Sequence, residues 1–153
     1  MNKAYLLLGS NIEPEKNIPL AVQILSQHPD LKVLQVSSTW QTPSIGHEAP
    51  DFHNAAVCVK TYLDSYVLKE NVLCQIEHEM GRIRLENKNA PRTIDLDIEV
   101  YNGEILDPEI FIQHHLMLPL AEILPDLISP EQKLSLAQIA ALAIPHTTAK
   151  KLA

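Results

Sequence analysis

Asp95-Leu96-Asp97 is the residue pair with most to offer chemically. On a strand, residues i and i+2 point the same way, roughly 6–7 Å apart along the backbone. Two carboxylates so placed can flank a hard cation such as Mg2+, which takes oxygen ligands and keeps waters that substrate phosphates can replace. Paired ions in phosphoryl-transfer sites lie about 3.5–4 Å apart, within reach of such a pair. The plain alternative is a half-buried strand with a solvated acidic side.

The chain has only three arginines, Arg82, Arg84 and Arg92, and all fall within eleven residues. Guanidinium forks match phosphate oxygens bidentately. Alternatively they are surface side chains paired with Glu79 or Glu86, each pair worth little. From Thr93 to Gln132 there is no Lys or Arg, but nine acids. Groups that grip phosphate are thus followed at once by groups that hold a cation, and jointly they favour metal–polyphosphate chemistry. His114 and His115 are adjacent, so their side chains diverge and do not make a two-histidine metal site. One of them could donate to a phosphate; the default is a structural or surface role. Phe52 and Asn54 have i, i+2 spacing at the end of a long connection from Pro43 to Pro50. A ring that stacks and an amide that pairs are what a flat heterocycle needs. The alternative is a core phenylalanine and an asparagine that closes a turn. No Gly-x-x-x-x-Gly-Lys phosphate loop and no serine nucleophile elbow is present.

The elements that must position these residues follow from periodicity. Tyr5 to Leu8 reads as a strand closed by a Gly9-Ser10-Asn11 turn. Ile18, Val22 and Leu25 have helical spacing, and Pro19 belongs in a first turn, so a helix is predicted from Ile18 to before Pro29. Val33 to Gln41 reads as one strand with Leu34, Val36, Ser38 and Trp40 on one face, and Asn54 to Tyr62 as another. Asp64 or Ser65 caps a helix whose stripe is Leu68, Val72, Ile76 and Met80, ended by Gly81. Thr93 to Tyr101 alternates, with Ile94, Leu96, Ile98 and Val100 on one face and Asp95, Asp97 and Glu99 on the other. Asn102-Gly103 then turns the chain into a return strand, Glu104 to Leu106. Leu134 to Ala143 is a short terminal helix with Ser135 as cap and Pro145 as stop. The order βαββαβ, then a hairpin and short helices, is the α+β ferredoxin-like plan: an antiparallel sheet with helices packed on it.

At 153 residues, with 46% hydrophobic and 20% charged residues, the expectation is one domain over residues 1–153 with a real core. Twelve basic residues against nineteen acidic ones, a net charge of −7, argue against a nucleic-acid or membrane-surface partner. No apolar run is long enough to span a membrane, and the N-terminal apolar stretch is too short for a signal peptide. Cys58 and Cys74 have no metal-type spacing and read as reduced core thiols, so a cytoplasmic location is expected.

Several strings together resemble one family. They are Gly9-Ser10-Asn11, Thr42-Pro43, Asp51 to Val57, Glu77 with Gly81-Arg82-Ile83-Arg84, and Pro91-Arg92-Thr93-Ile94-Asp95-Leu96-Asp97-Ile98. Their order and spacing are those of the 6-hydroxymethyl-7,8-dihydropterin pyrophosphokinases, over about residues 4 to 128. The last string with the upstream Gly-Arg-x-Arg is the most specific of them. The resemblance implies a ferredoxin-like fold. It also implies transfer of pyrophosphate from ATP to the hydroxymethyl group of the pterin, with release of AMP, in folate biosynthesis. Asp95 and Asp97 would hold two Mg2+ ions. Arg82, Arg84 and Arg92 would bind phosphate oxygens, Arg82 and Arg92 with Asp95 and Asp97 forming the catalytic set. Glu77, Ile98 and His115 would border the nucleotide. Asn54 would read the pterin edge, Phe52 would stack on it, and Thr42, Pro43 and Asp95 would complete its pocket. Ser44 to Pro50 and Leu85 to Ala90 would close over the substrates. A monomer whose partners are ATP and the pterin is expected.

The chain departs from the family's pattern in places. Ala90 stands where the family has Gly, and the usual aromatic is absent from Leu85 to Asn89. After His115 the family carries a further stretch with an Arg and a Phe; here Leu116-Met117-Leu118-Pro119-Leu120 follows directly. Two other readings therefore stand beside the enzyme: a non-catalytic nucleotide- or pterin-binding homologue, and a phosphotransferase acting on another small heterocycle.

Overall fold

In the computed structural model, residues 1–43, 50–81 and 93–152 are described. Arg82, Arg84 and Arg92, and the two segments expected to close over substrate save Pro50, lie outside them.

The chain runs β1 (Asn2–Ser10), α1 (Pro14–Gln27), β2 (Lys32–Val36), β3 (Trp40–Thr42) and β4 (Phe52–Thr61). A helical turn α2 (Ser65–Val67) passes without a break into a π-helical stretch, Leu68–Leu73, and then α3 (Cys74–Glu79). Next come β5 (Asp95–Tyr101), β6 (Glu104–Ile105), a 3-10 turn at Pro108–Phe111, α4 (His114–Ile123), α5 (Leu136–Ala143) and β7 (Lys150–Lys151). The sheet order is β6-β5-β1-β4-β3-β7, with β2 also pairing β4, and all its pairings are antiparallel. Strands β5-β1-β4-β2 with α1 and α3 are the expected ferredoxin-like unit; β3 and β7 extend it.

Alternation along the strands makes two cores. Ala4, Leu6 and Leu8 of β1, Ala55, Val57 and Val59 of β4, and Leu96 of β5 face α1 and the second helical segment. Leu7, Ala56, Cys58 and Val100 face the other way, against α4 and α5. Several expected element signals hold. Asp64 caps the second helical segment by accepting from Val67 N at 2.8 Å. Gly81 follows it at φ 86°, the left-handed conformation that suits glycine. Asn102 and Gly103 take φ 49° and 81°, as a tight hairpin requires. Ser135 forms a full capping box with Gln138.

Four expectations are corrected. Gly9 lies inside β1, paired on both sides, because β4 and β5 both extend as far as it does. Helix α1 starts at Pro14, so Pro19 lies in its interior. It is tolerated because Pro19 and Glu15 are both exposed, so the Glu15 carbonyl left without its N–H can turn to water. The segment Val33 to Gln41 divides into β2 and β3. Around Ser37 the backbone trades with a hydroxyl, Ser37 Oγ accepting from Ala56 N at 2.8 Å. Leu34 and Val36 are therefore exposed while Trp40 is buried. A register shift in the β1–β5 ladder, where Leu6 meets Ile98 but Tyr5 meets Val100, leaves Glu99 as an extra residue. This bulge turns Val100 away from the Leu96 face and into the α4/α5 core. The residues after His115, to which the sequence reading assigns no element, form α4, with Pro119 within it.

Candidate functional site

The antiparallel register decides which side chains meet. Gly9 pairs with Asn54 on one side and Asp95 on the other, and Asn54 pairs with Trp40. Directly paired residues project to one face, so Asp95, Gly9, Asn54 and Trp40 form a row on the α4 side. Phe52 and Thr42 pair in the next row out, on the same face by i, i+2 spacing. Asp97 pairs with Leu7 in the neighbouring row. The sheet thus brings Asp95, Asp97, Phe52, Asn54 and Thr42 onto one face. The acidic pair and Asn54 are two strand spacings, roughly 10 Å, apart.

Asn54 is buried, and its Nδ2 donates to Thr42 Oγ1 at 3.1 Å, which fixes the amide's orientation. Its Oδ1 lies beside Gly9. A Cβ on Gly9 would stand 3.1 Å from that oxygen and 3.9 Å from the Phe52 ring. The bare backbone at Gly9 is what leaves room between the amide, the ring and Asp95. Phe52 is half-buried, and Pro43 is exposed at the end of β3. Trp40 anchors the row by donating its Nε1 to Glu122 Oε2 at 2.6 Å, and the other Glu122 oxygen accepts from Ser38 N at 2.9 Å. Strand β3 is thereby tied to α4.

β6 pairs only with Val100 and Tyr101, so among the described residues no strand covers the outer edge of β5 from Asp95 to Ile98. Side chains of the second helical segment close that edge. Glu77 Oε2 accepts from Leu96 N at 2.8 Å, and Lys69 Nζ donates to Leu96 O. Lys69 Nζ also makes an ion pair with Asp97 Oδ1 at 2.9 Å. Alternate residues of an antiparallel strand send their backbone groups to one side, so the N–H and C=O of Ile98 point to this same edge. The Ile98 side chain packs on the opposite core. Glu77 is buried behind the strand.

His114 and His115 diverge, as expected for neighbours. His114 Nδ1 meets Thr147 Oγ1 at 2.7 Å. His115 is held below its ordinary pKa by burial, opposed by Asp107 and reinforced by His114. Glu99 is buried on the Asp95/Asp97 side of the strand. Burial first, then the Asp107 carboxyl, push its pKa up to about 8. Sequence reasoning missed Gly9 as part of the site, and missed Lys69 and Asp107. Gly9 was readable only through its pairing partners.

Among the described residues, no group of three or more His, Cys, Asp and Glu could hold a metal ion. Asp95 and Asp97 nevertheless suit a hard divalent cation. Both donors are carboxylates, Asp97 is 51% exposed, and one of its oxygens already sits on an ammonium. A pair of this kind leaves coordination positions for water and phosphate, as Mg2+ prefers.

Comparison with known proteins identifies the family. The family of 7,8-dihydro-6-hydroxymethylpterin-pyrophosphokinase (HPPK) matches residues 5–125. The chain belongs to the HPPK family. A 2-amino-4-hydroxy-6-hydroxymethyldihydropteridine pyrophosphokinase of Bacillus subtilis is 42% identical over 132 residues, 80% of this chain and 78% of that one. Another from Methylorubrum extorquens is 38% identical over 138 residues, 84% and 86% of the two chains. The crystal structure of Plasmodium falciparum HPPK-DHPS with pteroate superposes with a TM-score of 0.72 at 13% identity. It covers 94% of this HPPK-family chain, which spans 42% of the longer Plasmodium chain. That likeness establishes the shared HPPK fold.

Proposed function

We propose that the protein transfers a pyrophosphoryl group from ATP to the hydroxymethyl group of 6-hydroxymethyl-7,8-dihydropterin. The hydroxyl oxygen bonds to the β-phosphorus, the bond from that phosphorus to the α–β bridging oxygen breaks, and AMP leaves. The hydroxyl proton passes to solvent. The observation that carries this reading is the row Asp95–Gly9–Asn54. It sets a buried amide that can read a heterocycle edge across a bare glycine from the acidic strand.

Asn54, held by Thr42, hydrogen-bonds the pterin edge, Phe52 stacks on the ring, and Pro43 borders it. Asp95 and Asp97 would hold two Mg2+ ions, which would supply charge neutralisation for the polyphosphate. Arg82, Arg84 and Arg92 grip phosphate oxygens. The Ile98 backbone at the outer edge of β5 and His115 at the start of α4 border the nucleotide. Glu77 acts through the strand it braces. Catalysis is then positioning and electrostatic stabilisation, which phosphoryl transfer chiefly requires. The active unit is a cytoplasmic monomer of one domain. Among the described residues, no helix is long and apolar enough to cross a bilayer.

One observation favours a second reading, a homologue that binds without turnover. The residues after His115 are α4, whose Leu116 to Leu120 run is buried and carries no cation. The test is to incubate the protein with ATP, Mg2+ and the pterin, and to separate AMP from ADP. Pterin-dependent AMP supports the transfer. ADP sinks it. Absence of turnover with retained binding of both ligands favours the second reading, and turnover only with another heterocycle favours a changed substrate.

A further inference from the structure

Lys69 lies at the start of the π-helical stretch, outside the strand that carries the acidic pair. Such stretches displace side chains from the ordinary helical register and recur at functional sites. Here the displaced side chain reaches the outer edge of β5 where, from Asp95 to Ile98, no strand covers it among the described residues. Its ammonium donates to Leu96 O and to Asp97 Oδ1, two partners on adjacent residues. An ammonium has three donors, so one remains beyond these two. The side chain is 27% exposed, which places it at a boundary with solvent and not in the core. From Thr93 through β5 to Gln132, the chain carries no Lys or Arg.

A carboxylate oxygen cannot serve a divalent cation and keep an ammonium at 2.9 Å without like-charge repulsion between them. Occupancy of Asp97 by a metal therefore weakens its hold on Lys69. The flexible stem of a lysine lets it move while the Leu96 carbonyl still offers a tether. The nearest anionic charge then brought into the site is the polyphosphate carried by the metal. We propose that Lys69 is a phosphate-binding residue for the nucleotide, parked on Asp97 when the site is empty and transferred to a phosphate oxygen when the metal–nucleotide enters. This rests on the reading of the site as one for a metal–ATP complex. It adds a cation on the side of β5 away from β1, from an element not assigned to substrate.

The test measures binding, not turnover. Calorimetry with Mg2+ and α,β-methylene-ATP, whose bridging carbon blocks cleavage at the α–β position, is run on wild type, Lys69→Met and Lys69→Arg. Methionine keeps much of the stem packing, and thermal melts check that both variants fold. Loss of one charge-assisted contact should weaken nucleotide binding about tenfold in Lys69→Met, with Lys69→Arg restoring most of it. Mn2+ alone, without nucleotide, should bind Lys69→Met more tightly than wild type, because a competing cation has gone. A purely structural lysine would not give these opposite shifts. Equal nucleotide affinity in Lys69→Met and wild type overturns the assignment of Lys69 and leaves the ATP site intact. Failure of wild type itself to bind the analogue overturns the ATP reading, and Lys69's role with it.

Discussion

The two faces of one sheet are built from the same strands but behave differently. Against α1 and α3, the inward residues are apolar along the length of β1 and β4, from Ala4 to Leu8 and from Val59 to Ala55. Against α4 and α5 the face changes character along its length. It is apolar at Leu7, Ala56, Cys58 and Val100, then becomes Gly9, Asn54, Asp95 and Asp97. Burial of the first face supplies stability. The second face gives up part of that apolar contact to hold polar groups in a fixed grid. The strands are rigid in both halves, so the site inherits the precision of the ladder.

This contrast is broken most sharply by removing a carboxylate. Asp97→Ala should lower turnover by about a thousandfold or more, by analogy with losing a central electrostatic contact. Because Asp97 is half-exposed, the thermal midpoint should stay near wild type. Full retained activity would show that the acidic pair is a solvated strand face and nothing more.

The opposite result is expected on the other face. Leu96→Ala, one residue away, removes a fully buried side chain and should cost about 2–5 kcal/mol in denaturant unfolding. Its catalytic constant below the melting range should fall far less than that of Asp97→Ala.

Glu99 tests how much strain the polar face stores. Its folded pKa of about 8 lies above the model-compound value of 4.5, so the folded state holds the proton more tightly than the unfolded chain. Stability should therefore fall as pH rises from near 4.5 to near 8, at up to roughly 1.4 kcal/mol per pH unit for this one group. Glu99→Gln should flatten that fall in urea titrations at several pH values. An unchanged slope would mean that the carboxyl ionises freely in the fold.

The smallest effect sharpens the assignment of the bare glycine. Gly9→Ala places a Cβ 3.1 Å from Asn54 Oδ1. The pterin KM should rise about tenfold, the loss of roughly one hydrogen bond's worth of alignment. The KM for ATP should change little. A shift in both would locate Gly9 in the shared fold and not in the heterocycle pocket.

Much of this was legible in the chain. The alternation of Ile94 to Glu99, the caps at Asp64 and Ser135, and the Asn102-Gly103 turn depend on local chemistry, and local chemistry can be read from neighbouring residues. Val100 defied the alternation because a bulge is set by the partner strand. Pro19 defied the helix start because its cost depends on which side meets water. Gly9 looked like a turn because nothing local reveals a strand on each side of it.

Residue types and local spacing carry the chemical inventory: two carboxylates at strand spacing, three arginines within eleven residues, a ring and an amide two residues apart. The order of the ferredoxin-like core elements is legible too, because helical and strand periods are written along the chain, but the split into β2 and β3, helix α4 and strand β7 were not. That Asn54 lies across Gly9 from Asp95, and that Glu77 and Lys69 close the edge of β5, follows from strand pairing and packing alone. Register between strands distant in sequence depends on how two cores pack on opposite faces at once, and no local propensity encodes that.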